Sequence, residues 1–333
     1  MKIISKYRVD NLDAGPKAKV DIEKILKNEY NCEICALKLG SKEAEDRFVR
    51  KMCRKVQKVF FELRNFKKND IIIVQSPFTS RNFVTDACKN KIAIVHDING
   101  LRTGNAAELK KEIDFLKTCK AVIAHNQHME RFLSENGVSC KMVDIGVFDY
   151  LLSKNAEEHT AQPLSGDPVV VYAGNLAKSP FLYQLEEEKM RFRMNVYGVG
   201  TDKDINGKIN YKGKYRPDEL PGKLEGNLGL VWDGNFDESD ENEGFKNYTK
   251  YNNPHKLSCY IAAGFPVIVW EKAAVADFVS ENGIGYTVSS VYDINNLDLS
   301  DYDVKRKNAL ELSACVRNGV FTKKAIEKVF SLI

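Results

Sequence analysis

The sequence predicts an α/β protein made of two doubly wound domains that face each other across a cleft. Three observations predict it. Short apolar runs recur at residues 71–74, 92–95, 169–172 and 265–270, each the length of a strand buried on both faces of a parallel sheet. Stretches at helical spacing separate these runs, and the loops that follow them are rich in Gly, His, Asp and Lys, which is the order of repeated strand–helix units. A length of 333 residues suits two domains of roughly 100–200 residues. Residues 153–168 are polar and aperiodic, with two Pro and one Gly, and mark the division.

Composition excludes several classes. Hydrophobic and charged contents of 43% and 29% are ordinary for a soluble globular chain, and a net charge of +4 does not call for a nucleic-acid partner. The first eight residues carry Lys and Arg but no long apolar run, so no signal peptide is expected. No window approaches the roughly 18 apolar residues of a membrane helix. Eight Cys without a dense framework indicate reduced thiols and a cytoplasmic location. Cys32 and Cys35 form a C-x-x-C with no second pair at zinc spacing, and read as ordinary buried thiols.

In chain order, Lys2 to Ser5 reads as the first strand and Pro16 opens an amphipathic helix carrying Val20, Ile22, Ile25 and Leu26. The loop between them lies at the carboxyl edge of the sheet, where open α/β folds bind ligands, so Asn11, Asp13, Gly15 and Lys17 are candidates. Residues 42–68 predict a long helix with Phe48, Met52, Val56, Val59, Leu63 and Phe66 inward and a basic outer face, for which membrane contact is peripheral at most. The strand at 92–95 runs into His96-Asp97-Ile98-Asn99-Gly100-Leu101-Arg102. Asp97 could act as general base toward a sugar hydroxyl, and His96 could do the same or orient the acceptor, with Arg102 a candidate acceptor contact. His125 and His128 lack a clustered carboxylate or Cys, and Asn126 makes an adequate N-cap.

The second half opens with a strand leading into Ala173-Gly174-Asn175-Leu176-Ala177-Lys178-Ser179, where Gly174 permits close backbone approach and Lys178 can balance phosphate charge. Further strands are expected at 193–197, 209–211, 228–231 and 285–288, a short helix at 217–224 and helical structure from 304 onward. Asp202 and Asp204 follow Gly-Val-Gly in a polar loop and read as a solvated turn, so no metal is expected. The sharpest stretch is 251–270. Tyr251-Asn252-Asn253 precedes Pro254, His255 and Lys256 begin a short helix, Gly264 ends it in a left-handed C′ position, and an apolar strand follows. A helix start with free N–H groups and an adjacent Lys is a ready phosphate site.

The same stretch resembles the nucleotide-sugar segment of glycosyltransferases with the GT-B architecture of two Rossmann-like domains. Gly174 to Ser179 is similar to the Gly-Asn-Leu-x-Lys-Ser loop that opens their donor domain, and His96-Asp97 to their His-Asp loop. The resemblance is nearest to the cytosolic bacterial glucosyltransferases that extend O-linked N-acetylglucosamine on serine-rich-repeat adhesins. It implies transfer of glucose from UDP-glucose to the GlcNAc-modified Ser or Thr, with no metal cofactor, and a homo-oligomer. It implies that Lys178, Tyr215, Tyr251, Asn252, Asn253, His255 and Lys256 bind UDP, with Gly174 and Asn175 facing the diphosphate and Gly15 and Pro16 closing from the other domain. The paired Glu residues of many retaining members align with Tyr251 and Cys259, so inversion is expected. A galactofuranosyltransferase of polysaccharide assembly shares every motif, and a non-catalytic nucleotide-sugar-binding subunit is the alternative from another class. The expected division is 1–152 for the acceptor-side domain, 153–168 linker, 169–312 donor domain, and 313–333 a helix returning to the first domain.

Overall fold

Val, Ile and Ala at alternate positions of the short runs bury both faces of two all-parallel sheets. The computed structural model describes residues 1–5, 15–36, 60–76, 90–153, 160–200, 207–234 and 247–333, except the side chain of Lys178. The first sheet comprises β1 (Lys2–Ser5), β2 (Glu33–Ala36), β3 (Ile72–Gln75), β4 (Lys91–Ile94), β5 (Ala121–Ala124) and β6 (Lys141–Asp144), in the order β2-β1-β3-β4-β5-β6. Ile3, Ile73, Ile92 and Ile94 pack on one face of it, whereas Ile4, Ile72, Val74 and Ala93 pack on the other. Strand β2 is absent from the sequence reading. It is four residues long, starts with a Glu, and pairs only with β1, where Lys2 stands opposite Glu33. Cys32 and Cys35 are buried free thiols at this edge, and burial raises both pKa values, that of Cys32 to about 11.

Helix α1 (Lys17–Tyr30) starts after Pro16 as expected and buries Val20, Ile22, Ile25 and Leu26. Helices α2 (Asn99–Arg102), α3 (Ala106–Leu116) and α4 (Gln127–Glu135) follow. Asn105 and Asn126 cap the latter two by accepting from the N–H groups of Glu108 and Met129. Of the helix expected over 42–68, only 60–68 lies among the described residues, and it is helical through 65. There Leu63 is 77% exposed, which departs from its predicted place on an inward stripe, whereas Phe66 packs against the core.

The second sheet comprises β7 (Val169–Asn175), β8 (Arg193–Val199), β9 (Ile209–Tyr211), β10 (Leu228–Val231), β11 (Val267–Trp270) and β12 (Gly285–Val288), in the order β12-β11-β10-β7-β8-β9. Numbered within its own half, that is the dinucleotide-fold order with its reversal between β7 and β10. Strand β7 runs three residues beyond the predicted end. Gly174 pairs with Gly198, where a Cβ would come within 1.8 Å of the Gly174 carbonyl oxygen, so two side-chain-free positions let the ladder continue. The predicted short helix at 217–224 is a 3-10 turn, Leu220–Lys223.

Helices α5 (Phe181–Gln184), α6 (His255–Ala262) and α7 (Val275–Glu281) belong to the second half. The C-terminal helical region is two helices. Helix α8 (Tyr302–Arg317) packs on α6, and the Arg317 guanidinium donates to the Ala262 carbonyl at 2.6 Å. Gly319 then turns the chain with φ 72°, and α9 (Val320–Leu332) crosses to the first sheet, packing on β5, β6 and α1. Its Ala325, Ile326 and Val329 join the cluster of Ile3, Ile22 and Ile123. Replacing the fully buried Ile326 by Ala should cost about 3 kcal/mol through lost transfer energy and a residual cavity, measured as a lower urea midpoint with unchanged slope.

Candidate active site

The carboxyl edge of the second sheet gathers a polar cluster at its reversal point. Tyr172 comes from β7, Trp232 and Asp233 follow β10, and Lys256 is the second residue of α6. The Lys256 ammonium donates to the Trp232 carbonyl at 2.7 Å, to Asp233 Oδ1 at 2.8 Å and to Tyr172 Oη at 3.2 Å. Burial pulls its pKa down, but the Asp233 carboxylate and Tyr172 outweigh burial, and the net direction is up. Tyr172 Oη also shares a 2.7 Å hydrogen bond with Ser179 Oγ, which donates to the Asn175 carbonyl at 2.9 Å. Gly174 and Asn175 are therefore the last strand residues, and Lys178 follows in a single 3-10 turn. Tyr215 lies past the end of β9, its hydroxyl donating to the Lys212 carbonyl at 3.2 Å.

At the facing edge, β4 delivers His96 and Asp97. Ser76 Oγ accepts from both backbone N–H groups, at 2.7 and 2.9 Å, which fixes the turn. His96 Nε2 lies 2.7 Å from Gln75 Oε1. The amide nitrogen of Gln75 already donates to the Lys19 carbonyl and to Glu23, so its oxygen accepts and His96 carries its proton on Nε2. Burial, followed by Lys19, His125 and His255, holds the His96 pKa well below the ordinary value. Asp97 is half-exposed. Burial raises its pKa, opposed by Arg102, Lys19 and a hydrogen bond from Tyr248. Arg102 stands 3.6 Å from Asp97 and donates to Asn99 Oδ1 at 3.0 Å. Of the two candidates, Asp97 is the basic group open to a ligand, and His96 is a neutral ring 8% exposed.

Between the edges runs a seam that reassigns several predicted contacts. Asn253 is 4% exposed and all its side-chain polar atoms serve the protein. Its amide donates to the His125 and Gly146 carbonyls at 2.6 and 2.8 Å, its Oδ1 accepts from Asn126 at 2.7 Å, and its N–H donates to His125 Nδ1 at 2.7 Å. The Tyr251 ring packs on Phe132 at 5.2 Å, and its carbonyl accepts from Asn126. His255 stacks on Tyr150 at 4.8 Å, and burial lowers its pKa to about 3. Lys17 is 5% exposed, ion-paired with Asp21 and donating to the Leu151 carbonyl, so it faces inward. Asn253, Tyr251 and His255 thus contact the first half, whereas Lys17 is held by Asp21, Leu151 and Tyr150 of that half. The buried Oδ1 of Asn252 has no partner, and neither do Nε2 of His125 and of His255. Gly15 and Pro16 form the turn that opens α1, whereas Asn11, Asp13, Asp202 and Asp204 lie outside the described residues.

Sequence reasoning missed Tyr248, Asp233, Lys19 and Phe148. Tyr248 and Asp233 sit at the borders of an acidic, Asn-rich stretch without periodicity. Phe148 stacks on His96 at 5.0 Å and meets His125 edge-on at 5.0 Å, a contact between distant residues. Among the described residues, no group of three or more His, Cys, Asp or Glu is arranged to hold a metal ion. A cavity of about 490 Å³ lies elsewhere, beside the first residues of β7 and β8, lined by Arg193, Asn195, Tyr211, Lys212 and Glu225.

His125 is 1% exposed, and burial lowers its pKa from 6.5 to about 3. Between those values the unfolded chain binds the extra proton, so this residue's contribution to stability is present above about pH 6.5 and falls as pH drops toward 3. Glu23 and Asp149, raised by burial to about 7 and about 6, act with the opposite sign, losing stability as pH rises. Only a difference measurement isolates His125. The variant His125→Asn keeps an acceptor near the Nδ1 position, and its plot of stability against pH from 4 to 6 should be shallower than wild type by up to about 1.4 kcal/mol per pH unit.

Comparison with known proteins places this geometry in a family. The model described as "Glucosyltransferase 3-like, N-terminal domain" matches residues 1–147, and that described as "Glucosyltransferase 3-like, C-terminal domain" matches residues 170–329. The chain is 30% identical to the beta-1,6-galactofuranosyltransferase WbbI of Escherichia coli K12 over 99% of this chain and 98% of that one. It is 27% identical to glucosyltransferase 3 of Streptococcus parasanguinis, over 80% and 81% of the two chains. Among solved structures, sucrose-phosphate synthase from Thermosynechococcus elongatus has the same fold, with a TM-score of 0.60 at 12% identity over 99% of this chain and 98% of that one. With both halves matched, the chain belongs to the glucosyltransferase 3-like family and is a GT-B glycosyltransferase.

Proposed function

We propose that the protein transfers a hexose from a UDP-activated donor to a saccharide hydroxyl, with inversion and without a metal. The observation that carries this reading is the placement of a half-exposed carboxylate, Asp97, on one sheet edge, joined through the seam to the Lys256 cluster at the reversal point of the other. The diphosphate lies over the first turn of α6, where free N–H groups and Lys256 stabilise the charge that develops on the leaving UDP. All three ammonium protons of Lys256 are directed at protein acceptors in the ligand-free arrangement. A phosphate oxygen therefore takes the place of the longest of these, Tyr172. Asn252 Oδ1, the orphaned acceptor beside α6, supports a donor-side role, and Tyr215 supplies a ring for the base. Asp97 removes the proton from the acceptor hydroxyl as its oxygen attacks the anomeric carbon and the bond to the diphosphate breaks. His96 orients Asp97 through their shared turn, and Arg102 meets the acceptor.

For the hexose we favour galactofuranose, supported by the end-to-end alignment with the E. coli galactofuranosyltransferase. A β-linked product from an α-linked nucleotide donor also requires inversion, in keeping with the absence of the paired Glu. The second reading, glucose onto a GlcNAc-modified serine-rich-repeat protein, is supported by the family description and the streptococcal relative. A panel of UDP-sugars assayed in EDTA, with hexoside acceptors and an N-acetylglucosaminyl-serine peptide, separates the two. Transfer with UDP-galactofuranose alone upholds the first, transfer of glucose to the peptide replaces it with the second, and UDP binding without turnover under any donor sinks the enzymatic reading. A requirement for added Mg²⁺ or Mn²⁺ would remove the metal-independent mechanism.

Two substitutions test the assigned roles. Asp97→Asn should lower kcat about 10²–10⁴-fold while leaving the Kd for UDP within about twofold of wild type. Lys256→Ala should weaken UDP binding and lower kcat/KM together, by about a hundredfold, because it removes charge stabilisation from both bound donor and transition state.

A further inference from the structure

The turn that precedes α6 does more than lead into the donor side. Residue 248 belongs to the second half of the chain, yet its side chain is 3% exposed and ends at the His-Asp turn of the first. The Ile98 N–H donates to Tyr248 Oη at 2.9 Å. That bond occupies a lone pair of the phenol oxygen and leaves the O–H to be given elsewhere. The Asp97 carboxylate, on the residue before Ile98, is the acidic group beside it. At its other end, the Tyr248 carbonyl accepts from the N–H groups of Tyr251 and Asn252 at 3.0 and 3.2 Å. One residue thus folds the turn that presents Asn252 and the start of α6, and reaches across to the backbone of the turn that bears Asp97.

We propose that Tyr248, fixed by the Ile98 N–H beside Asp97, gives its O–H to the Asp97 carboxylate and is a positioning residue, coupling the donor-side turn to the group that accepts the acceptor's proton. The proposal rests on the reading of Asp97 as the base. A phenol O–H given to a carboxylate favours the ionised form and restricts its rotation. Among the described residues, the other charges facing Asp97 are Lys19 from α1, Arg102 from α2 and, with opposite sign, Glu112 from α3, whose carboxylate accepts from the Asn99 and Gly100 N–H groups. Lys19 and Arg102 attract the carboxylate from positions that Tyr248 does not share. The phenol is accordingly a separable contribution to both geometry and ionisation.

Tyr248→Phe removes the hydroxyl and keeps the ring. On the proposal, kcat falls about tenfold, and the acidic limb of the kcat–pH profile moves up by about one unit, since loss of the donor raises the Asp97 pKa. The Kd for UDP, by calorimetry, stays within about twofold of wild type. Wild-type kcat with an unmoved limb overturns the proposal. So does a parallel loss of turnover and UDP affinity with an unmoved limb, which is what a purely structural turn residue gives. Asp97→Asn, assayed beside it, keeps the two failures apart. Near wild-type turnover in that variant discards Asp97 as base, whereas an inactive Asp97→Asn with an unaltered Tyr248→Phe discards only the coupling.

Discussion

Four consecutive residues, 148–151, hold the two halves in register. Phe148 carries His96 on its face and His125 at its edge, both from the first sheet's carboxyl side. The Asp149 carboxylate accepts from the N–H groups of Phe321 and Thr322, capping the helix that returns from the second half. Tyr150 donates to the Pro217 carbonyl at 2.5 Å, and its backbone N–H donates to that of Val316. The Leu151 carbonyl and the Tyr150 ring together take the Lys17 ammonium. Each link joins a different pair of elements, so none can shift without disturbing the others. The polar stretch 153–168 divides the sequence, but the mechanical junction lies just before it.

The seam is built from neutral groups, which explains how it tolerates burial. His125 and His255 are held near pKa 3, and His96 lies well below its ordinary value, so three imidazoles meet around Phe148 without three charges. An ionised ring there would lose its hydration without a carboxylate partner, a cost that exceeds any hydrogen bond it could form. The charged groups stand in separate pairs, Asp97 with Arg102 and Lys256 with Asp233.

The strands were legible because buried parallel strands read as continuous apolar runs. Each strand named from the sequence is present, whereas β2, which starts with a charge and pairs on one side only, was not expected. The edges were legible for the same reason, since a strand's end fixes where its loop emerges, and His96, Asp97 and Lys256 fell there. Their partners were not. Asn252 and Asn253 are adjacent and chemically identical in sequence, yet one is saturated with buried partners and the other has an orphaned oxygen. The Tyr251 ring packs on Phe132, 119 positions earlier in the chain, and no local pattern encodes such a contact. The break at Gly319 is a similar case. Asn318-Gly319 interrupts helical spacing only briefly, and the reason to turn is the neighbouring Ile25, 2.8 Å from where a Cβ would stand.

The Lys256–Asp233 pair bears most directly on how a donor is gripped. A lysine this buried loses much of its hydration, and without a carboxylate its ammonium would tend to give up its proton. Asp233 keeps it charged and aimed, but also cancels its formal charge, so the pair as a unit attracts a diphosphate weakly. What remains attractive is the start of α6, where the first N–H groups lack intrahelical partners, together with the freedom to exchange the 3.2 Å contact with Tyr172 for a phosphate oxygen. The cluster is therefore a poised site. The lysine sits already charged and desolvated, and on the proposed reading it meets the negative charge that accumulates on the departing nucleotide. On the proposed reading, the arrangement helps hold the bound donor and contributes more as charge grows on the departing diphosphate.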